Sequence, residues 1–401
     1  MAKGLLSKIT VIDMTEGVAG PYASMLLGDM GANVIKVERR EGDWARTSGR
    51  GALNHLGTAQ FISLNRNKRD VGLDLTAPDG RRIIERLISR ADVVVSNYRA
   101  GVMAKLGLDY ARCRELSSGI VYCTVSGFGQ AGPYAELPAS DTIMQAMSGL
   151  MNSVGDANGP PLRVGFPLID MTAANHAVQA VLLALYGRLS GEGGAEIDVS
   201  LMSAALALMG AGFNDYLAAG RLPQRQGNQN TSLAPAGAFE VAGGRYITIA
   251  VLRDQHWKKF CAAMDLGALV EDERFATNAQ RVKNRVELDR IIMPMLAQQS
   301  SEYWLERLRA ADILCGPINT FADIVADSAL TSNLPLIESQ LLGLPRMMGT
   351  PIRFNGGYFA AERPPPAKGQ HTREVLAEAG FGPDEIGAFV ASGSAFLAGE
   401  T

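Results

Sequence analysis

The segment ITVIDMTEGVAGPYASMLLGDMGANVIKVERR, Ile9 to Arg40, constrains the fold more than any other. An apolar run, Ile9 to Met14, breaks into a loop carrying Gly17 and Gly20. A helix-like stretch with Met25, Leu26 and Leu27 follows, and a second apolar run, Val34 to Val37, ends in Glu38-Arg39-Arg40. Strand, helix and strand in this order form a βαβ unit, because parallel strands need a helical crossover. Ligands of such units bind beyond the carboxyl ends of the strands. Two adjacent arginines arriving there point to an anion.

At 401 residues the chain is long enough for a large core and two domains. A net charge of −3 argues against a whole-protein attraction to nucleic acid or anionic membrane, so any anion site is local. Cys113, Cys123, Cys261 and Cys315 show neither C-x-x-C pairing nor metal-ligand spacing with the histidines, which fits buried thiols in a reducing compartment. The apolar stretches near Ala177–Tyr186 and Leu201–Phe213 read as shorter than a membrane span. The N-terminus leads into a strand and lacks a signal-peptide pattern, so the expected location is the cytoplasm.

The alternation continues downstream. Ile83, Ile84, Leu87 and Ile88 share one face of a helix, and strands are expected at Ala91–Ser96, Gly119–Val125 and Glu196–Ser200. A short helix from Asp141 to Met151 would have Asp141 as its cap, and Met171–Leu189 reads as a long apolar helix. This pattern predicts an α/β fold with a mostly parallel sheet. Arg221–Ala236 reads as a loop or linker, after which Tyr246–Leu252 and three helical segments give a smaller α/β domain. The expected boundaries are 1–220 for the first part of a large Rossmann-like domain, 221–330 for the smaller domain with its linkers, and 331–401 for a return to the large one.

Several residues can carry chemistry. Arg39, Arg40, Arg46 and Arg50, with Arg66, Lys68 and Arg69, form a basic cluster able to bind phosphate if their loops converge, or else a solvated surface. The loop at Thr15–Pro21 lacks G-x-G-x-x-G, although Glu38 stands where a ribose-binding acid would, so the signal for a nicotinamide dinucleotide is weak. Asp170 precedes the long apolar helix. It is either an N-cap or an acyl nucleophile held ionised at a helix terminus. Asp141 has the same two readings. His176 reads as a packed residue, His256 and His371 as surface residues at helix starts, and His55 as a candidate beside the basic cluster. No Ser-His-Asp spacing, nucleophile elbow or P-loop is present.

Together these pieces resemble the family III CoA-transferases, the formyl-CoA and carnitine CoA-transferase family, from about Leu6 to Gly380. The segments that carry the likeness are AGPYASMLLGDMGANVIKVER, SLNRNKRDVGLDL, ADVVVSNYRAGVMAKLGL, the Asp170 segment, EIDVSL, DERFATNAQRVKNRVEL and CGPINT. The resemblance implies a Rossmann-like large domain built from both ends of the chain, a smaller inserted domain, and an interlocked homodimer. It implies that Arg39, Leu73, Asn97, Tyr98 and Lys105 line a coenzyme A site, with Gly17, Val18 and Ala19 contributing backbone. Asp170 falls on the catalytic aspartate.

The implied activity moves coenzyme A between small carboxylic acids, dicarboxylic ones included, through a covalent aspartyl intermediate. Acyl-CoA is a substrate, and no permanently bound cofactor or metal is expected. Two departures bear on specificity. The loop Gln226–Gly237 has two glycines where the formyl-CoA branch has a glycine-run lid. The related acyl-CoA racemases carry a histidine near the position of Ser140-Asp141, and this chain has none there. A racemase, an NAD(P)-dependent oxidoreductase and a non-catalytic CoA-binding protein are the alternatives. Charged side chains in Glu41–His55 are candidates for a second substrate carboxylate.

Overall fold

A computed structural model describes residues 4–49, 51–338 and 346–399. Arg50 lies outside the described residues. The chain divides into two compact units, one of residues 1–150, 163–221 and 334–401, the other of residues 151–162 and 222–333. Residues 151–162, read from the sequence as part of the large domain, therefore group with the smaller unit.

The first unit is mixed α/β around a seven-stranded sheet. Strand β1 (Thr10–Met14), helix α1 (Ala19–Asp29) and strand β2 (Asn33–Glu38) form the expected βαβ unit. Across the sheet the strands run Ala395–Phe396, Lys68–Leu73, β2, β1, Val93–Ser96, Val121–Ser126 and Ala195–Ser200. All pair in parallel except Ala395–Phe396, which runs antiparallel to Lys68–Leu73.

The register places Ile12 between Ile35 and Val94. On that face the three pack with Ile83, Ile84, Leu87 and Ile88 of helix Pro78–Ile88, and with Val375, Leu376 and Phe389 near the C-terminus. Each such side chain removed from water contributes about 1.5–3 kcal/mol. The other face is covered by α1 and helix Leu168–Leu189. That helix has 22 residues and is long and apolar enough to cross a membrane, contrary to the expectation that the apolar stretches fall short. Ile169, Ala173, Ala177, Val178 and Val181 form its buried stripe.

Numbered along the chain, the six parallel strands lie in the order 3-2-1-4-5-6, so the chain reverses direction across the sheet between β1 and Val93–Ser96. Strand loops diverge at that point and leave a crevice beyond the carboxyl ends.

Strand Lys68–Leu73 was not anticipated, because Asn65-Arg66-Asn67-Lys68-Arg69 reads as a charged loop. Its charges are buried and paired instead. Lys68 donates to Asp13 at 2.8 Å, Arg66 clasps Asp29, and Arg69 reaches Glu374 and Glu378 from a nearly buried position. Arg46 is likewise taken up by Glu38 and by the Leu56 and Pro366 carbonyls, and Arg40 stacks on Phe396. Most of these charges are therefore internal ion pairs, fitting neither the phosphate-site nor the solvated-surface reading.

The second unit contains an antiparallel sheet of Ala236–Val241, Arg245–Ala250 and Leu314–Pro317. Helices Asp254–Ala263, Arg285–Leu296 and Ser301–Ala310 bury Trp257, Phe260, Leu288, Ile292 and Trp304 with Ile247 and Ile249. Its outer strands escaped sequence reading because glycines and a proline interrupt their apolar pattern.

Candidate active site

The crevice at the strand reversal is a cavity of about 620 Å³. Its wall follows from topology. Glu16, Val18 and Ala19 come from the loop after β1, Arg39 follows β2, and Asn97, Tyr98 and Arg99 follow strand Val93–Ser96. Ser126 ends strand Val121–Ser126 and Gly127 follows it, Leu201 follows strand Ala195–Ser200, and Asp141 and Asp170 sit at helix starts.

A buried network fixes the loop after β1. Asp43 accepts the Gly17 N–H at 2.9 Å and the Lys36 ammonium at 3.0 Å, while Lys36 also donates to the Thr15 carbonyl. Asp13 accepts from Thr15 and Ser24 as well as Lys68. Burial alone would raise the Asp13 carboxyl, but Lys68 and Lys36 outweigh it and hold it below the usual range. Gly17 has φ of +84°, and a Cβ there would lie 2.2 Å from the Trp44 ring, so only glycine fits beneath that indole. Asn97 and Glu16 exchange two hydrogen bonds, Glu16 N–H to the Asn97 side-chain oxygen at 2.9 Å and the Asn97 amide to the Glu16 carbonyl at 2.7 Å. The two loops flanking the crevice are thereby stapled together.

Glu38 is no ribose acceptor. It is buried and engaged by Arg46 and the Asp43 N–H. Arg39 is half-exposed, leaning on Glu16 at 3.2 Å, and presents a guanidinium at the cavity. Tyr98 is pushed up to about 12, by burial first and then by Glu16, and remains a neutral hydroxyl.

The cap reading fails for both Asp141 and Asp170 as residues of their own helices. Helix Asp141–Met147 is capped by Ser140, whose hydroxyl accepts the Ile143 N–H. Helix Leu168–Leu189 begins two residues before Asp170, with Pro167 at the cap position and no cap from its own side chains. Its cap is Asp141, which accepts the N–H of Ile169 at 2.7 Å and of Asp170 at 3.1 Å. The Asp170 carboxylate, half-buried in the first turn, has no hydrogen-bond or ion-pair partner among the described residues. Burial, and then the Asp141 charge, raise it to about 7. It is a basic carboxylate with free oxygens in a pocket, which suits nucleophilic attack on an acyl carbon.

Of the residues selected from sequence, Val18, Ala19, Arg39, Asn97, Tyr98 and Asp170 lie on this cavity, and Gly17 supports it from below. Leu73 and Lys105 are not on its wall. Leu73 is fully buried beside Ala395, and Lys105 is exposed at the end of helix Val102–Lys105. His55 is exposed and off the cavity, and His176 is exposed beside a second, shallower depression near Asp198 and Ser203 instead of packed. Within Glu41–His55, Arg46 is consumed by Glu38, while Trp44 reaches the cavity. Sequence reading missed Trp44, Arg99, Ser126 and Leu201. Ser126 ends a strand, Leu201 directly follows one and Arg99 lies three residues beyond one, a positional signal that was available. Among the described residues no cluster of metal-ligating side chains occurs.

Residues 6–372 match the family described as CoA-transferase family III. The succinate–glutarate CoA-transferase of Agrobacterium fabrum is 33% identical, over 93% of this chain and 95% of that protein. The succinyl-CoA:glutarate CoA-transferase of Mus musculus is 34% identical, over 93% and 86%. A succinyl-CoA:mesaconate CoA-transferase of Haloarcula hispanica is 33% identical, over 94% and 97%. The crystal structure of a CAIB/BAIF family protein from Brucella suis superposes with a TM-score of 0.86 at 32% identity, covering 94% of this chain and 99% of that one. Sequence match and fold agree over nearly the whole length, and the chain belongs to CoA-transferase family III.

Proposed function

We propose that this enzyme moves coenzyme A from succinyl-CoA to a second small dicarboxylic acid through covalent catalysis by Asp170. The observation that carries the reading is the unpartnered, basic carboxylate of Asp170 on a cavity edged by Arg39, Asn97 and Tyr98. The dicarboxylate preference follows the named substrates of the relatives.

An Asp170 oxygen attacks the thioester carbonyl. The C–S bond breaks, giving a mixed anhydride and the CoA thiolate. The thiolate attacks the aspartyl carbonyl and expels the donor acid as its carboxylate, leaving an aspartyl-CoA thioester. The acceptor carboxylate then displaces the thiolate to form a second anhydride. Attack of the thiolate on the acceptor's acyl carbon releases the new acyl-CoA and frees Asp170. No water is consumed, and splitting one exchange into covalent steps lowers each barrier.

No histidine lines the cavity among the described residues, which favours transfer over proton shuttling as in a racemase. Glu38 is already engaged, which disfavours a dinucleotide. Arg39 and the loop at Gly17–Ala19 would face the coenzyme's phosphates. A homodimer is part of the reading, supported by the exposed apolar side chains Leu183, Tyr186 and Leu189 on the long helix and Phe213, Tyr216 and Leu217 beyond it. Free cysteines, three of them buried, suit a cytoplasmic setting.

Intact-mass analysis after mixing with succinyl-CoA tests the mechanism. The expected adduct is one CoA less one water, removed by hydroxylamine, mapped to the Asp170 peptide and absent in Asp170→Asn. Binding of CoA with no adduct from any acyl-CoA donor would sink the covalent reading.

A further inference from the structure

We propose that Asp141 and Pro167 act together as positioning residues that keep the Asp170 carboxylate free to react, an inference that rests on Asp170 being the nucleophile. A helix opens with four N–H groups lacking intrahelical partners, and an acidic side chain in its first turn ordinarily turns back on them. Counting from the cap at Pro167, Asp170 is the third helical residue. An acid at that position reaches back to the N–H of the cap residue when it forms a capping box. Pro167 has no N–H to offer and no side-chain acceptor of its own, so that local arrangement is closed to Asp170.

The remaining donors are taken from elsewhere. One oxygen of the buried Asp141 carboxylate accepts from both Ile169 and Asp170, at 2.7 and 3.1 Å. Its other oxygen accepts from the Gln145 amide at 2.5 Å, and the Gln145 carbonyl accepts the Val164 N–H at 2.8 Å. A side chain one turn along the same short helix thus pins the approach to the long helix, and Asp141 closes its first turn. The division of labour is chemical. One aspartate has both oxygens filled by donors, and the other is left with none. The Asp141 charge beside Asp170 also favours the protonated form of its neighbour and so raises its basicity. The other ionisable groups on this cavity are Glu16, Arg39, Tyr98 and Arg99, and the variants below leave all four in place.

Two variants act on this arrangement from opposite sides, each read by the pH dependence of aspartyl-CoA formation. Asp141→Asn removes the fixed charge and keeps one acceptor oxygen. Its acid limb is expected to move down by about one pH unit, and its plateau rate to fall roughly tenfold. Pro167→Ser supplies the helix with its own cap and offers Asp170 a backbone N–H. Adduct formation is expected to slow by about tenfold with a downward shift of the acid limb, while the unfolding midpoint holds or rises. A merely structural role would lower stability and rate together without moving the acid limb. Should Asp141→Asn fail to fold, Pro167→Ser decides alone. An unchanged acid limb and rate in a folded variant overturns the proposal. An absent adduct in the wild-type enzyme overturns the reading of Asp170 itself, and the two failures are thereby distinguished.

Discussion

Asp13 and Asp170 are both carboxylates on the working edge of one sheet, and they have opposite fates. Asp13 is fully buried and saturated, with Lys68 at 2.8 Å and with Ser24 and Thr15 closing its remaining lone pairs. Asp170 is half-buried, faces a cavity and has no cation or donor at its oxygens among the described residues. The field around Asp13 holds it ionised below the usual range, whereas burial and Asp141 push Asp170 up to about 7. A buried ion pair with every site filled contributes a fixed geometry, here the seat of the Thr15–Ala19 loop. A carboxylate deprived of partners contributes reactivity, at a cost in stability. The one region is built to hold and the other, under the proposed mechanism, to exchange.

The largest effect separating the two regions is on turnover. Asp170→Asn is expected to lower CoA transfer by at least about ten-thousand-fold with CoA binding intact, as measured by steady-state rates and calorimetry. Retention of more than a few per cent of the rate would erase the distinction. Asp13→Ala should instead strand the Lys68 ammonium and destabilise the protein by about 3–5 kcal/mol in denaturant titration. A loss under about 1 kcal/mol would mean that the network is not what holds the loop.

Gly17→Ala probes the border between holding and exchange. It imposes a Cβ on the Trp44 ring at a left-handed backbone position, so Trp44 should be displaced and acyl-CoA affinity should fall by about tenfold. Intrinsic tryptophan fluorescence would report the displacement, and an unchanged spectrum with unchanged affinity would count against the fit described here.

The smallest effect carries the clearest sign. Between pH 4 and 7 native Asp170 retains a proton that the unfolded chain releases, so unfolding becomes easier as pH rises through that window. Asp170→Asn should therefore be more stable than wild type at pH 8, by about 1 kcal/mol once solvent screening is allowed for, and equal to it near pH 4. The opposite ordering at pH 8 would show that Asp170 is stabilised where it stands.

The sheet was legible because parallel strands buried on both faces must be written as apolar runs. The segments around Ile12, Val94 and Val121 admit few other readings. Strand Lys68–Leu73 was hidden for the converse reason. Its first three residues are Lys68, Arg69 and Asp70, and partners distant in sequence make their burial tolerable: Asp13 for Lys68, Glu374 and Glu378 for Arg69, and the Gly369 N–H for Asp70. The same long-range pairing turned most of the described basic cluster into structural charge and left Arg39 as its arginine on the cavity among the described residues.

Sequence alone determined the βαβ start, the α/β class and the family likeness, because periodicity and motif order are local properties. Tertiary structure alone decided that Asp141, 29 residues away, caps the helix that carries Asp170. It also decided that Glu38 belongs to Arg46 and that Leu73 and Lys105 stand off the cavity wall. Those outcomes depend on which donors and acceptors meet after the chain has folded. A hydrogen bond between residues far apart in sequence leaves no periodic trace in either segment.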